Sequence, residues 1–200
     1  MQSFREMRIR FLILTACLFL ASFAPQEADG PRLDREEAQK VFELVNKIRD
    51  NPKPYYSEFQ LSENLPITKR PLVWNDTLAG AAEKKAMDMA KRKYFSHVDP
   101  DGYGMNHRIH QAGYELIPAF LKQKSANTFE SLAGGLNSGE ETVRTLILDE
   151  GLSSKGHRNH LLGIEAWNSS LMDIGVGFVR CDEGCKMRTY VCILIAKHAW

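Results

Sequence analysis

Along the chain the apolar positions change period several times, and each change marks an element. Ala38, Val41, Leu44, Val45 and Ile48 recur three and four apart, the stripe of an amphipathic helix. Asp34, with Glu37 three residues on, has the form of a capping box at its start. Asn51-Pro52-Lys53-Pro54 ends it, because proline cannot continue a helix. A polar loop through Pro66, Thr68 and Pro71 follows. A second helix opens at Asn75 or Asp76 and carries Leu78, Ala81, Ala82, Met89 and Ala90 near one side. It closes on Lys91, Arg92 and Lys93, cations that complement the negative end of the helix dipole. Residues 96–104 read as a loop leading to a short helix stopped by Gly113. Residues 114–137 show no period and read as irregular. Ser138 caps a further helix with Glu140 and Glu141 in its first turn and Val143, Leu146 and Ile147 along its body. A loop over 151–156 precedes a short helical run beginning at His157. Residues 174–180 and 187–196 are β-rich and joined by a turn at Asp182-Glu183-Gly184, hence a hairpin. Helices first and a terminal antiparallel hairpin predict an α+β fold.

The N-terminus carries a different pattern. Arg5, Arg8 and Arg10 precede an uncharged apolar run over residues 11–24, and polar turn formers follow. Residues 1–30 therefore read as a signal peptide with a short linker, and 31–200 as one domain. This predicts a secreted protein, extracellular or periplasmic. Leu14-Thr15-Ala16-Cys17 also has the form of a lipobox, so a lipoprotein anchored through Cys17 is the alternative. Beyond residue 30 no apolar run approaches the roughly 18–20 residues that span a bilayer, so no transmembrane segment is expected in the mature chain. Twenty-six basic against twenty-five acidic side chains offer no electrostatic reason to bind nucleic acid. Loss of the leader leaves Cys181, Cys185 and Cys192, an odd count that implies one bridge and one thiol in an oxidising compartment. Cys181 and Cys185 flank the hairpin turn and are predicted to bridge, with Cys192 a buried thiol.

Chemistry enters through histidines in settings that packing does not explain. His97 lies in Ser96-His97-Val98-Asp99-Pro100-Asp101-Gly102, a loop of turn formers, and His157 opens a helix in Lys155-Gly156-His157-Arg158-Asn159. Imidazoles so placed are the usual proton shuttles and metal ligands near neutral pH. His107 with His110, and His157 with His160, are spaced to share a metal on one helical face; His198 is expected to be solvated. Glu130 sits between an irregular segment and small residues. Glu150 sits at a helix end where the dipole disfavours negative charge. Neither His-Glu-x-x-His nor Gly-x-Ser-x-Gly occurs, and no acid is evident to orient a base for Ser96 or Ser154.

Seven segments occur in a telling order. They are residues 72–78 (Leu-Val-Trp-Asn-Asp-Thr-Leu), Ala81-Ala82 with Met89, Ser96-His97 through Asp101-Gly102, Ala112-Gly113-Tyr114, Glu130-Ser131-Leu132-Ala133-Gly134-Gly135, Gly156-His157-Arg158 and Ile174-Gly175-Val176-Gly177-Phe178. The series resembles the CAP superfamily (cysteine-rich secretory, antigen 5 and pathogenesis-related proteins), in particular its bacterial SCP-domain branch, over residues 36–197. The resemblance implies a three-layer α-β-α sandwich around a small central antiparallel sheet, with a cleft faced by two histidines and two glutamates. Carried over by motif, His97 is the first histidine, Glu130 the first glutamate and His157 the second histidine. Glu150 or neighbouring Asp149 fills the place of the second acid, and Ser153 or Ser154 is a serine near the cleft. Some members hold zinc or another divalent metal there, which makes His97 and His157 the candidate metal ligands; no organic cofactor is implied. The expected function is a secreted binding module whose cleft holds a small ligand (lipid, glycan or peptide) or a divalent metal. The alternative is a metal-assisted hydrolase acting on peptides, with Glu130 or Glu150 as the catalytic candidates.

Overall fold

The computed structural model describes residues 30–151 and 153–199; the leader and lipobox expectations, Cys17 included, fall on residues outside these. Helix α1 (Arg35–Asp50) starts where the capping pattern places it, with the Asp34 carboxylate accepting the Glu37 N–H at 3.1 Å. The second half of the expected box is absent. The Asp34 N–H goes to Phe178 O at 2.8 Å, and the Glu37 carboxylate accepts instead from Gly139 N at 2.6 Å, tying α1 to α4 (Gly139–Leu148). The loop after α1 is less polar in use than in composition, for Phe59 and Leu61 are buried in the core. Helix α2 (Asp76–Arg92) is capped by Asn75, which accepts from Leu78 N at 3.0 Å. Helix α3 (Met105–Gln111), α5 (Gly156–Leu162) and α6 (Glu165–Ser169) are short.

The hairpin forms from β4 (Asp173–Arg180) and β5 (Thr189–Ala196), with the disulfide Cys181–Cys185 across its turn and Cys192 a buried thiol. Two short strands, β1 (Arg32–Leu33) and β2 (Val73–Trp74), both pair with β4. The β2 pairing is parallel, the one departure from an antiparallel sheet among the described residues. A fifth strand, β3 (Glu130–Gly134), pairs with β5 inside the segment read as irregular. Glu130, Ser131, Leu132 and Ala133 are all buried, so the polar–apolar alternation that reveals a half-exposed strand is lost. The sheet order is β1-β4-β5-β3, with β3 on the open edge.

Helix α2 lies on one face of the sheet, and α1, α4 and α5 lie on the other, completing the three layers. Contact with α2 requires glycine. A Cβ built on Gly175 would sit 2.1 Å from Ala79 N, and one on Gly177 would sit 2.3 Å from the Ala82 backbone. Both positions are opposite large β5 side chains or thiol, Leu194 and Cys192, so the missing atoms let the helix settle onto the sheet without a void. We predict that Gly175→Ala destabilises the domain by about 3 kcal/mol or more, because backbone atoms cannot yield. Gly80→Ala, with nothing within 4 Å of the new atom, stabilises it by about 1 kcal/mol through helix propensity alone. Urea midpoints for the two variants check the pair; equal shifts would remove the packing argument.

Candidate functional site

The site is built from both outer layers meeting at the open edge of the central one. From the α2 side comes His97. Lys93 closes α2 in the left-handed conformation (φ 57°), turning the chain back toward the sheet. Lys85, buried on α2, then donates from Nζ to Ser96 O at 2.7 Å and His97 O at 3.1 Å, fixing the loop backbone. Asp99 braces the rest of that loop by accepting from the Asp101 and Tyr103 amides and from Arg108. His97 Nδ1 donates to Glu130 Oε2 at 2.7 Å, and the other Glu130 oxygen accepts from the Cys192 thiol at 3.5 Å. Burial, with the Glu130 carboxylate beside it, pushes the Cys192 thiol well above its ordinary pKa, so it stays protonated.

From the other layer comes His157. Asp149 closes α4 in the left-handed conformation (φ 48°) and turns its carboxylate onto the start of α5. Its Oδ2 accepts the His157 N–H at 2.9 Å, capping that helix, and its Oδ1 accepts from His157 Nδ1 at 2.8 Å. Lys155 and Arg158 donate to the last carbonyls of α4, those of Ile147, Leu148 and Asp149, which a helix end leaves unpaired. Arg49, buried on α1, donates to Leu161 O and His160 O at the far end of α5. Burial alone brings its pKa down to about 10, still charged at neutral pH.

A carboxylate can only accept, so each Nδ1 carries a proton, and it is the Nε2 of each ring that is left to meet a ligand. The carboxylates are sealed, with the Glu130 side chain 0% and the Asp149 side chain 3% exposed, whereas His97 and His157 are 47% and 25% exposed. Both imidazoles line one hollow of about 320 Å³ together with Asn127, Glu130, Ser131 and Trp167. A groove of about 360 Å³ shares His157 and is lined by Phe95, Leu132, Leu136, Leu146 and Leu148. A third cavity of about 350 Å³ lies between α2 and α3, where Arg92–Asp101 and Arg108–Asp99 already pair its charges.

The carboxylate on His157 is thus that of Asp149. Glu150 is exposed at the rim of the groove, without a hydrogen bond or ion pair among the described residues. Ser153 and Ser154 are exposed and line neither space; the serine in the hollow is Ser131, which the sequence reading passed over. Its hydroxyl donates to His160 Nδ1 at 2.8 Å, while His160 Nε2 donates to Ile195 O at 3.3 Å. His160 therefore has both nitrogens occupied and does not share a metal with His157. His107 donates to Gln123 O, and His110 is exposed. His198 is not solvated as expected: its Nδ1 lies 2.7 Å from Asp173 Oδ2, and its ring packs 4.2 Å from that of Tyr114. Among the described residues no group of three or more His, Cys, Asp or Glu side chains is gathered to hold a metal ion. Two imidazole nitrogens fall short of the three or four protein ligands of a zinc site.

Two outcomes follow from this geometry. Asp149→Ala costs about 2 kcal/mol, since it removes a helix cap and leaves the α4 terminus strained; Asp149→Asn, which keeps an acceptor and tolerates the backbone, costs less. Urea unfolding of both variants checks the order. Burial lowers the His160 pKa from 6.5 to about 4. Between those values the unfolded chain takes up the extra proton. Stability is therefore complete above pH 6.5 and falls toward pH 4 by up to about 1.4 kcal/mol per pH unit. His160→Gln flattens that slope, and an unchanged slope would assign the pH dependence elsewhere.

Known proteins resemble the chain in sequence and in fold. A protein of Bacillus subtilis (strain 168), called uncharacterized protein YkwD, is 31% identical over 111 residues, 55% of this chain and 35% of its own length. This chain thus spans about a third of that relative. An outer surface protein of Borrelia burgdorferi superposes with a TM-score of 0.53 at 17% identity over 84% of this chain and 98% of its own, a likeness of fold. An extracellular protein containing a SCP domain from Bacillus anthracis str. Ames gives a TM-score of 0.49 at 24% identity, covering 82% of this chain and 41% of that one. The family described as the cysteine-rich secretory protein family, CAP, matches residues 42–194, well over half of the chain, and the protein belongs to it.

Proposed function

We propose that this protein is an exported binding module whose hollow holds a small ligand between His97 and His157. The observation that carries the reading is the shared arrangement of the two rings. Each is reachable from solvent, each is held at Nδ1 by a buried carboxylate, and each has Nε2 without a partner among the described residues. Rings oriented in this way before a ligand arrives lose little freedom on binding it. Export is supported by the basic start and short apolar run within residues 1–30, and no described helix is long and apolar enough to cross a membrane. Mass spectrometry of the mature N-terminus separates removal of a signal peptide within residues 1–30 from lipid on Cys17.

Binding accounts for the geometry better than hydrolysis does. The Glu130 side chain is fully buried, with one oxygen on His97 and the other on Cys192, so it is not presented to the hollow as a base. A divalent ion would meet two protein nitrogens and complete its coordination from solvent or ligand. We expect zinc to bind weakly, in a single calorimetric event that disappears in the His97→Ala/His157→Ala double variant. Native mass spectrometry of protein recovered from its own host, without chelator, should show a retained adduct on wild type that the double variant lacks. Identical spectra would overturn the binding reading, and indistinguishable zinc titrations would remove the metal.

A further inference from the structure

The cleft floor is the unpaired edge of a β-strand. Ile195 N donates to Phe129 O, and Gly135 N donates to Thr189 O, which fixes the ladder between β3 and β5. In that register Ser131 and Ala133 exchange hydrogen bonds with β5, the single bonds at 129 and 135 flank them, and Glu130, Leu132 and Gly134 turn theirs the other way. Three N–H and three C=O groups therefore face outward. No turn, cap or side chain among the described residues takes them up. Edge strands in folded proteins are commonly blunted by lysine, proline or a bulge. Glu-Ser-Leu-Ala-Gly has neither lysine nor proline, and its pairing with β5 runs without interruption.

The two spaces described above lie along this edge. Glu130 and Ser131 line the hollow, and Leu132, Ala133 and Gly134 line the apolar groove; His157 borders both. At the hollow end Asn127 Oδ1 is buried without a hydrogen-bond partner among the described residues, an acceptor waiting for an N–H. At the groove end Phe95, Leu136, Leu146 and Leu148 offer an apolar seat, and Glu150 stands at its rim with its charge unpaired among the described residues. The walls belong to the two outer layers, with Phe95 on the α2 side and Leu146, Leu148 and His157 on the other.

We propose that the ligand is an extended peptide that adds to β3 as a sixth strand, placing an apolar side chain in the groove and a neighbouring basic one beside Glu150. This rests on the reading of the cleft as a binding site and specifies its occupant. Main-chain hydrogen bonds to Glu130, Leu132 and Gly134 supply the affinity, and the groove and Glu150 select the sequence, as in other cases of strand addition. No covalent step is involved.

The test uses synthetic short peptides pairing one Leu or Phe with an adjacent Lys or Arg, against the same peptides carrying Asp or Glu. Binding is measured by calorimetry on the mature protein. The basic set should bind, and N-methylation of the best peptide should weaken it about ten-fold at alternate amides only, those that face β3. Leu132→Pro should weaken binding similarly, since it removes an outward N–H and no ladder bond; the N-methyl series stands if that variant does not fold. Glu150→Gln should abolish the preference for basic over acidic peptides and leave the alternating profile intact. Failure of every peptide to bind, or tolerance of N-methylation at all positions, would overturn the proposal. If the host-derived adduct still depends on His97 and His157 in that event, only the peptide assignment falls. If the adduct survives their loss, the reading of the hollow falls with it.

Discussion

The contact between α2 and the glycine-bearing face of β4 is the constraint on which the rest of the molecule depends. Where Gly175 and Gly177 lack side chains, the helix backbone approaches the strand directly. That approach sets the height of α2 above the sheet, and with it the position of everything the helix carries. Lys85 projects from α2 toward the chain that follows it, and its ammonium is satisfied by two backbone carbonyls and the Tyr94 hydroxyl. A buried cation without a carboxylate partner is costly unless its donors are used, and here each is. His97 is held in place through this relay from glycine to helix to ammonium to loop.

The opposite wall is organised by charge instead of close packing. Helix α5 has seven residues, too few to be stable alone. It is held at its start by the Asp149 carboxylate and at its end by the Arg49 guanidinium, each meeting the pole of opposite sign. Asp149 serves two helices in one conformation, ending α4 and beginning α5, and orients the His157 ring with its remaining oxygen. The two histidines thus reach the same cleft by different physics.

Much of this was legible in the sequence because the signals were local. The stripe from Ala38 to Ile48, the caps at Asp34, Asn75 and Ser138, and the cysteine-flanked turn each depend on residues a few positions apart, and each is found in place. His97, Glu130 and His157 stand in ordered motifs, and the fold brings them to one hollow. What escaped was decided by contacts distant in sequence. β3 is a strand because β5 pairs with it, and its burial on both faces erased the alternation that would have marked it. The sequence favours Glu150 with Asp149 as its alternative, since only the left-handed turn at the end of α4 determines which carboxylate reaches α5. Ser131 and Asn127 carry no pattern of their own; their surroundings, not their neighbours along the chain, bring them into the hollow. His198 looked solvated from its place near the C-terminus, but Asp173 and Tyr114 hold it.

The lone sulfhydryl at position 192 has a consequence for what happens when the molecule opens. Folded, it is enclosed beneath a carboxylate and kept protonated, out of reach of the bridge between positions 181 and 185. Unfolding frees it and restores an ordinary thiol, whose ionised form attacks disulfides. Two mispaired bridges then compete with the native one in every unfolded chain. Heating at alkaline pH accordingly converts a reversible transition into covalent scrambling, and the lifetime of the protein there is set by how rarely its core opens.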